Sequence, residues 1–189
     1  MPVALQRLFI VLLALTPQMA FAHPGHEASG LLNGFAHPLM GIDHILAMVT
    51  VGVLASQLSG RALWVVPGTF LAVMALGVGI GSAGASLPAL ELALALSVIA
   101  LGAIVALEFR GLPVAVVVAV GLFALVHGHV HGSEMPAHAS ALTYGFGLLG
   151  ASALLHLGGI LLGHMFGAWR RVGGAVVALG GLGLMLQAL

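Results

Sequence analysis

The feature that most constrains this chain is its uninterrupted apolar sequence. Stretches near or above the roughly 20 residues that a membrane-crossing helix needs recur at about 34–57, 62–82, 88–108, 112–134, 139–163 and 170–188. Only brief connections separate them: Ser59-Gly60-Arg61, Ser82 to Pro88, Arg110 to Pro113, Met135-Pro136 and Gly167 to Arg171. Charge is correspondingly scarce. Charged residues make up 5% of the chain, against about 25% in ordinary globular domains, and five Arg with five acids could not clothe a water-facing surface of 189 residues. The expected fold is therefore an all-α membrane protein, a six-transmembrane-helix bundle forming one domain over residues 23–189. Zero net charge and the lack of a basic stripe argue against nucleic acid as a partner. With no Cys, thiolate metal sites, thiol catalysis and disulfides are excluded together.

Residues 1–22 read as a signal peptide. Arg7 supplies the basic start, Leu8 to Leu15 the apolar run, and Ala20-Phe21-Ala22 the small-residue cleavage site, which predicts a mature N-terminus at His23. Pro17 and the shortness of the run disfavour the alternative, an uncleaved first helix. Orientation can be read independently, because Arg and Lys of short loops prefer the cytoplasmic side. With the N-terminus outside, the loops after the first, third and fifth spans are internal, and they hold Arg61, Arg110, Arg170 and Arg171. Both signals place both mature termini outside.

Small residues four apart, at Gly77/Gly81, Gly159/Gly163 and Gly163/Gly167, are expected to let helices pack closely. The string Gly79 to Gly84 matches GxGxxG, but it follows no strand and ends a membrane helix, so it is set aside as a nucleotide site.

Ten His, twice the number of acids, stand out in a chain that otherwise avoids polarity. An ionisable group at the centre of a membrane helix costs about 2.5–3.5 kcal/mol on insertion scales and marks a functional position by default. The first span carries His37, Asp43 and His44 within eight residues. On a continuous helix His37 and His44 are two turns apart on one face, with Asp43 about 100° round from His44 and able either to ligate or to orient an imidazole. The fourth span closes with His127-Gly128-His129-Val130-His131-Gly132-Ser133-Glu134. If that helix persists to Glu134, then His127, His131 and Glu134 form one stripe and His129 faces the other side. Asp43 on a descending helix and His127 on an ascending one both fall roughly 10–14 Å below the outer surface. Two motifs far apart in sequence can thus build one site of up to four imidazoles and two carboxylates, an N/O set suited to Ni(II), Co(II) or Zn(II).

The remaining polar residues carry weaker signals. Glu91 lies in a first helical turn, where an acid favours the helix dipole, and Glu108 is expected to pair with Arg110 at the inner rim. His156, past the middle of the fifth span, is a candidate later station on a metal path; His164 reads as interfacial. His23 and His26 are candidates for ion capture at the mouth. Met40 and Met48 read as core filler.

At these residues the chain resembles the HupE/UreJ family of bacterial membrane proteins. The likeness rests on His37-x5-Asp43-His44, on His127-Gly128-x-x-His131-Gly132-x-Glu134, on the Leu154-Leu155-His156 stretch with its following glycines, and on the six-span layout. The resemblance implies an inner-membrane nickel or cobalt permease serving hydrogenase or urease systems, with His37, Asp43, His44, His127, His131 and Glu134 as its functional positions and His129 as an additional imidazole. Its expected partners are the bilayer and a divalent ion, Ni(II), Co(II) or Zn(II), carried as cargo. No prosthetic group is expected, and a homo-oligomer is compatible with the sequence. A membrane potential drives a divalent cation inward by about 4–5 kcal/mol per 100 mV, and no nucleotide-binding motif is present. Two other readings stand beside the permease: a membrane-embedded zinc hydrolase in which Asp43 or Glu134 activates water with support from Ser133, and an accessory protein that senses or delivers metal without moving it.

Overall fold

A computed structural model describes residues 30–109, 113–137 and 139–189. The proposed signal peptide, His23, His26 and Arg110 lie outside them. Among the described residues the chain is helical, with no strand, as a backbone in hydrocarbon must be when it satisfies its own hydrogen bonds. The helices are α1 (Gly30–Ala36), α2 (Ile42–Leu58), α3 (Ala62–Ser82), α4 (Leu90–Ala106), α5 (Pro113–Ser133), α6 (Ala141–Phe166) and α7 (Arg170–Gln187), with single 3-10 turns at His37–Leu39 and Gly167–Trp169. By length and composition three continuous stretches can cross a membrane: α3, residues 114–133 of α5, and the run from Ala141 to Gln187. The bent pair of α1 and α2 makes a fourth, while α4 is a shorter apolar helix. The chain is thus a multi-pass membrane protein.

The first apolar stretch departs from the sequence expectation. It is not one helix over 34–57 but two, bent by 82°. Pro38 sits in the 3-10 turn between them, where its ring and missing N–H oppose continuation of the helix ladder, and Gly41 is extended at φ −102°, ψ 122°. His37 and His44 therefore do not share a helical face; they belong to separate elements joined by the bend. Asp43 does not lie several turns inside a helix either. It stands in the first turn of α2, where a carboxylate meets the positive helix end. Gly41 is needed here, because a Cβ at that position would come within 2.6 Å of the Asp43 carboxylate and 2.7 Å of the His44 ring.

Helix pairing is set by glycines where backbone meets backbone. A Cβ on Gly128 would strike the Met74 carbonyl and one on Gly132 the Val78 carbonyl, so α3 and α5 run parallel. Gly159 abuts Val49, and Gly163 faces Val53 and Ser56, so α2 and α6 are parallel too. Gly102 meets Gly174 and Ala178 while Gly181 meets Val98 and Ile99, which makes α4 and α7 antiparallel. Short α1 lies beside the first turns of α6, with Gly34 against Tyr144 and Gly147 against Leu31. These contacts also fix the course of the last 47-residue run. Gly163 packs near the end of α2, yet Gln187 returns to a cavity at the start of α2, so the chain reverses at Gly167, whose φ is +43°. Gly167, expected as a packing residue, is instead a turn residue with nothing near its missing side chain.

Close approach makes some glycines intolerant and leaves others free. Gly77→Ala, whose Cβ would press on the Leu125 carbonyl, is expected to cost about 1–3 kcal/mol. Gly79→Ala, facing open space two residues on, should leave stability unchanged or raise it. Thermal unfolding of the two variants in detergent checks the contrast.

Candidate metal centre

Three pieces of chain bring six polar side chains together. The 3-10 turn offers His37, the first turn of α2 offers Asp43 and His44, and the last two turns of α5 offer His127 and His131. Helix α5 ends at Ser133, one residue earlier than expected, and Glu134 follows with its N–H on the Val130 carbonyl at 3.0 Å. The stripe survives that ending. Each acid takes one imidazole: His44 Nδ1 lies 2.7 Å from Asp43 Oδ1, and His37 Nε2 lies 3.1 Å from Glu134 Oε2. The rings then meet one another. His131 lies 5.0 Å from His37 and 4.3 Å from His44 between centroids, and His44 lies 5.3 Å from His127.

That spacing has chemical meaning. With metal–nitrogen bonds of about 2.0–2.1 Å, neighbouring imidazoles on one ion stand roughly 4.5–5.2 Å apart between centroids. The pairs here match or nearly match it, although among the described residues no three His, Asp or Glu groups already converge as ligands of one ion. Both acids are engaged with imidazoles, so full coordination requires them to turn.

Hydrogen bonds settle the tautomers. The Nδ1–H of His127 donates to the Phe123 carbonyl at 2.9 Å, and that of His44 donates to Asp43. In both, Nε2 is left as a lone pair without a partner, and His131 has neither nitrogen bonded. A carboxylate or carbonyl behind an imidazole is the usual arrangement that orients a ligating histidine. Buried polar atoms are rarely left unmatched, yet His127 and His131 are wholly buried and His44 nearly so.

A cavity of about 540 Å³ opens beside the cluster, lined among others by His37, Asp43, His44, Glu91 and Glu134. Glu91, read from sequence as a helix-dipole residue, does occupy the first turn of α4, but it also adds a third carboxylate to this cavity. Met40 lines it as well and is exposed, whereas Met48 is core. His129 is 1% exposed with both nitrogens unpartnered, and among the described residues its ring meets none of the cluster's rings. The His156 ring meets Phe70 and, among the described residues, none of the cluster's rings, and His164 is exposed at the end of α6. Sequence reasoning missed Tyr144, whose buried ring lies 5.8 Å from His37 and whose hydroxyl is unpartnered; its being the single Tyr, placed in an apolar helix, was the available signal.

Fold and site together define a multi-pass membrane protein with a histidine–carboxylate centre beside a cavity at one end of the bundle. The chain belongs to the HupE/UreJ family: the family model described as HupE / UreJ protein matches residues 11–186, which include all six site residues. It is 48% identical over 176 residues to Protein HupE of Rhizobium leguminosarum bv. viciae, covering 90% of this chain and 92% of that protein. No solved structure gives a significant match.

The hydrogen-bond pattern makes a prediction independent of any ion. In metal-free protein labelled with ¹⁵N-histidine, the NMR signals of His127 and His44 should show the Nδ1–H tautomer, and Asp43→Leu should shift His44 while leaving His127 unchanged.

Proposed function

We propose that this protein is a secondary permease that carries a divalent transition-metal ion, Ni(II) or Co(II), across the bacterial inner membrane through six passages, with both mature termini in the periplasm. The observation that carries the reading is the meeting of two sequence-distant motifs around one cavity, with imidazole nitrogens left unbonded in the membrane-spanning part of the chain. The kinship with Protein HupE and the likeness noted above support nickel or cobalt as cargo. The site stands at the end of the bundle opposite Arg61, Arg170 and Arg171, which follow the inner ends of α2 and α6. By the preference of arginine for the cytoplasmic side, the cavity then faces the periplasm.

The chemistry follows from the groups present. Asp43, Glu91 and Glu134 draw a hydrated cation into the cavity, where no Arg stands among the lining residues. His44 and His127 offer oriented Nε2 lone pairs, and His131 bridges toward His37. As the ion sheds water, Glu134 and Asp43 exchange an imidazole partner for the metal, which supplies the negative charge that two desolvated positive charges require. Inward movement is driven by the membrane potential, about 4–5 kcal/mol per 100 mV for a divalent ion. The hydrolase alternative is weaker because the Ser133 hydroxyl donates to the Val130 carbonyl at 2.8 Å, back onto its own helix.

Purified chain in vesicles under an inside-negative potential should accumulate radioactive nickel, and uptake should fall at least tenfold in Asp43→Ala and Glu134→Ala at equal protein content. Glu91→Gln should raise the half-saturating nickel concentration about two- to fivefold with little change in maximal rate, as for one partly screened charge. Because a protonated imidazole cannot ligate, uptake should decline once the outer pH is low enough to protonate the site histidines. Vesicles that accumulate no ion under either polarity would overturn the permease reading in favour of a delivery or sensing role.

A further inference from the structure

Below the four-histidine cluster the structure holds another buried imidazole with an uncommitted nitrogen. His156 of α6 is 1% exposed. Its Nδ1–H donates to the Met48 carbonyl of α2 at 2.7 Å, and its Nε2 has no partner. The tautomer is the one His44 and His127 adopt, with the lone pair again on Nε2. Met48 lies one turn inward from His44 along α2, so the carbonyl that orients His156 continues the cluster's own helix.

A single ring touches both places. Phe70 of α3, wholly buried, stands edge-on to His156 at 5.0 Å and tilted against His127 at 5.7 Å between centroids. One turn along α3 the Met74 sulfur comes within 4.0 Å of the Ser152 hydroxyl, which lies one turn before His156 on α6 and donates to the Leu148 carbonyl. The Ser152 hydroxyl meets the Met74 thioether and stands one turn from the His156 imidazole on α6, with no carboxylate among them. Farther inward on α2, Gln57 is 7% exposed with both amide atoms unpartnered. Unsatisfied buried polar groups are costly, and here they succeed one another along α2 from the outer cluster toward the Arg61 end.

We propose that His156, with Met74 and Ser152, forms a second and weaker station for the same divalent cation, and that the Phe70 side chain is the barrier between it and the outer cluster. This rests on the permease reading for its purpose, but the site itself can be detected without transport. Weaker binding at the second station suits passage, since an ion must leave each site as well as occupy it. No net ligand charge holds the cation there.

The test titrates Co(II) into the purified full chain in detergent, following visible absorption and equilibrium dialysis, with thermal unfolding to verify that each variant is folded. Wild type should bind two ions per chain with affinities differing at least tenfold. His156→Gln, which keeps a donor for the Met48 carbonyl, should lose the weaker ion and retain the tighter within twofold; Asp43→Ala should lose the tighter one. Phe70→Leu should fill the weaker site several-fold faster in stopped flow. A single binding class that His156→Gln leaves unaltered overturns the second station, and an unchanged filling rate in Phe70→Leu overturns the barrier. Two ions bound by a chain that moves none in vesicles would instead leave the station standing and remove the permease reading.

Discussion

The structure depends on how ionisable groups are kept within an apolar bundle. A lone carboxylate or imidazole there is expensive, and this chain answers by giving each acid of the cluster a histidine: Asp43 holds His44, and Glu134 reaches across 97 residues of sequence to His37. The second pairing ties the bend after α1 to the end of α5. It links two motifs that no backbone hydrogen bond connects, and it leaves His131 and the Nε2 atoms of His44 and His127 as the groups with bonding capacity to spare.

Burial and bonding capacity together separate this cluster from an ordinary polar core. A structural histidine network would close its hydrogen bonds internally, whereas here the bonded nitrogens orient the rings and the opposite nitrogens stay unmatched. The adjoining cavity is bordered by three carboxylates, one of which, Glu91, comes from a helix that carries neither motif. The cavity's border thus joins three carboxylates to His37 and His44, with His127 and His131 buried behind it.

Much of this was legible in the residues. Lengths and limits of the apolar stretches foretold α3, α5 and α7 closely, because in hydrocarbon a helix is nearly the only choice. The two histidine motifs could be paired as polar clusters on two separate spans, although the depth assigned to Asp43 assumed a continuous first helix. The 82° break was not foreseen; Pro38 and Gly41 together end one helix and start another. Glu91 was taken for a dipole group because its place beside the cavity arises from helix packing, which leaves no periodic trace in the sequence. Phe70 was invisible for the same reason: nothing distinguishes it from other apolar side chains of its helix until His127 and His156 are both seen against it.

The glycine-lined pairings have a consequence for symmetry. Take α2, α3 and α4 as one set and α5, α6 and α7 as another, and exchange them in order. The parallel pair α2–α6 then becomes α5–α3, also parallel, and the antiparallel pair α4–α7 becomes itself. These three glycine-lined pairings survive the exchange, whereas α2 also packs on α3 and α4 without an equal contact of α5 on α6 or α7. The three seams thus divide the bundle into helix pairs, each of which takes one member from either set.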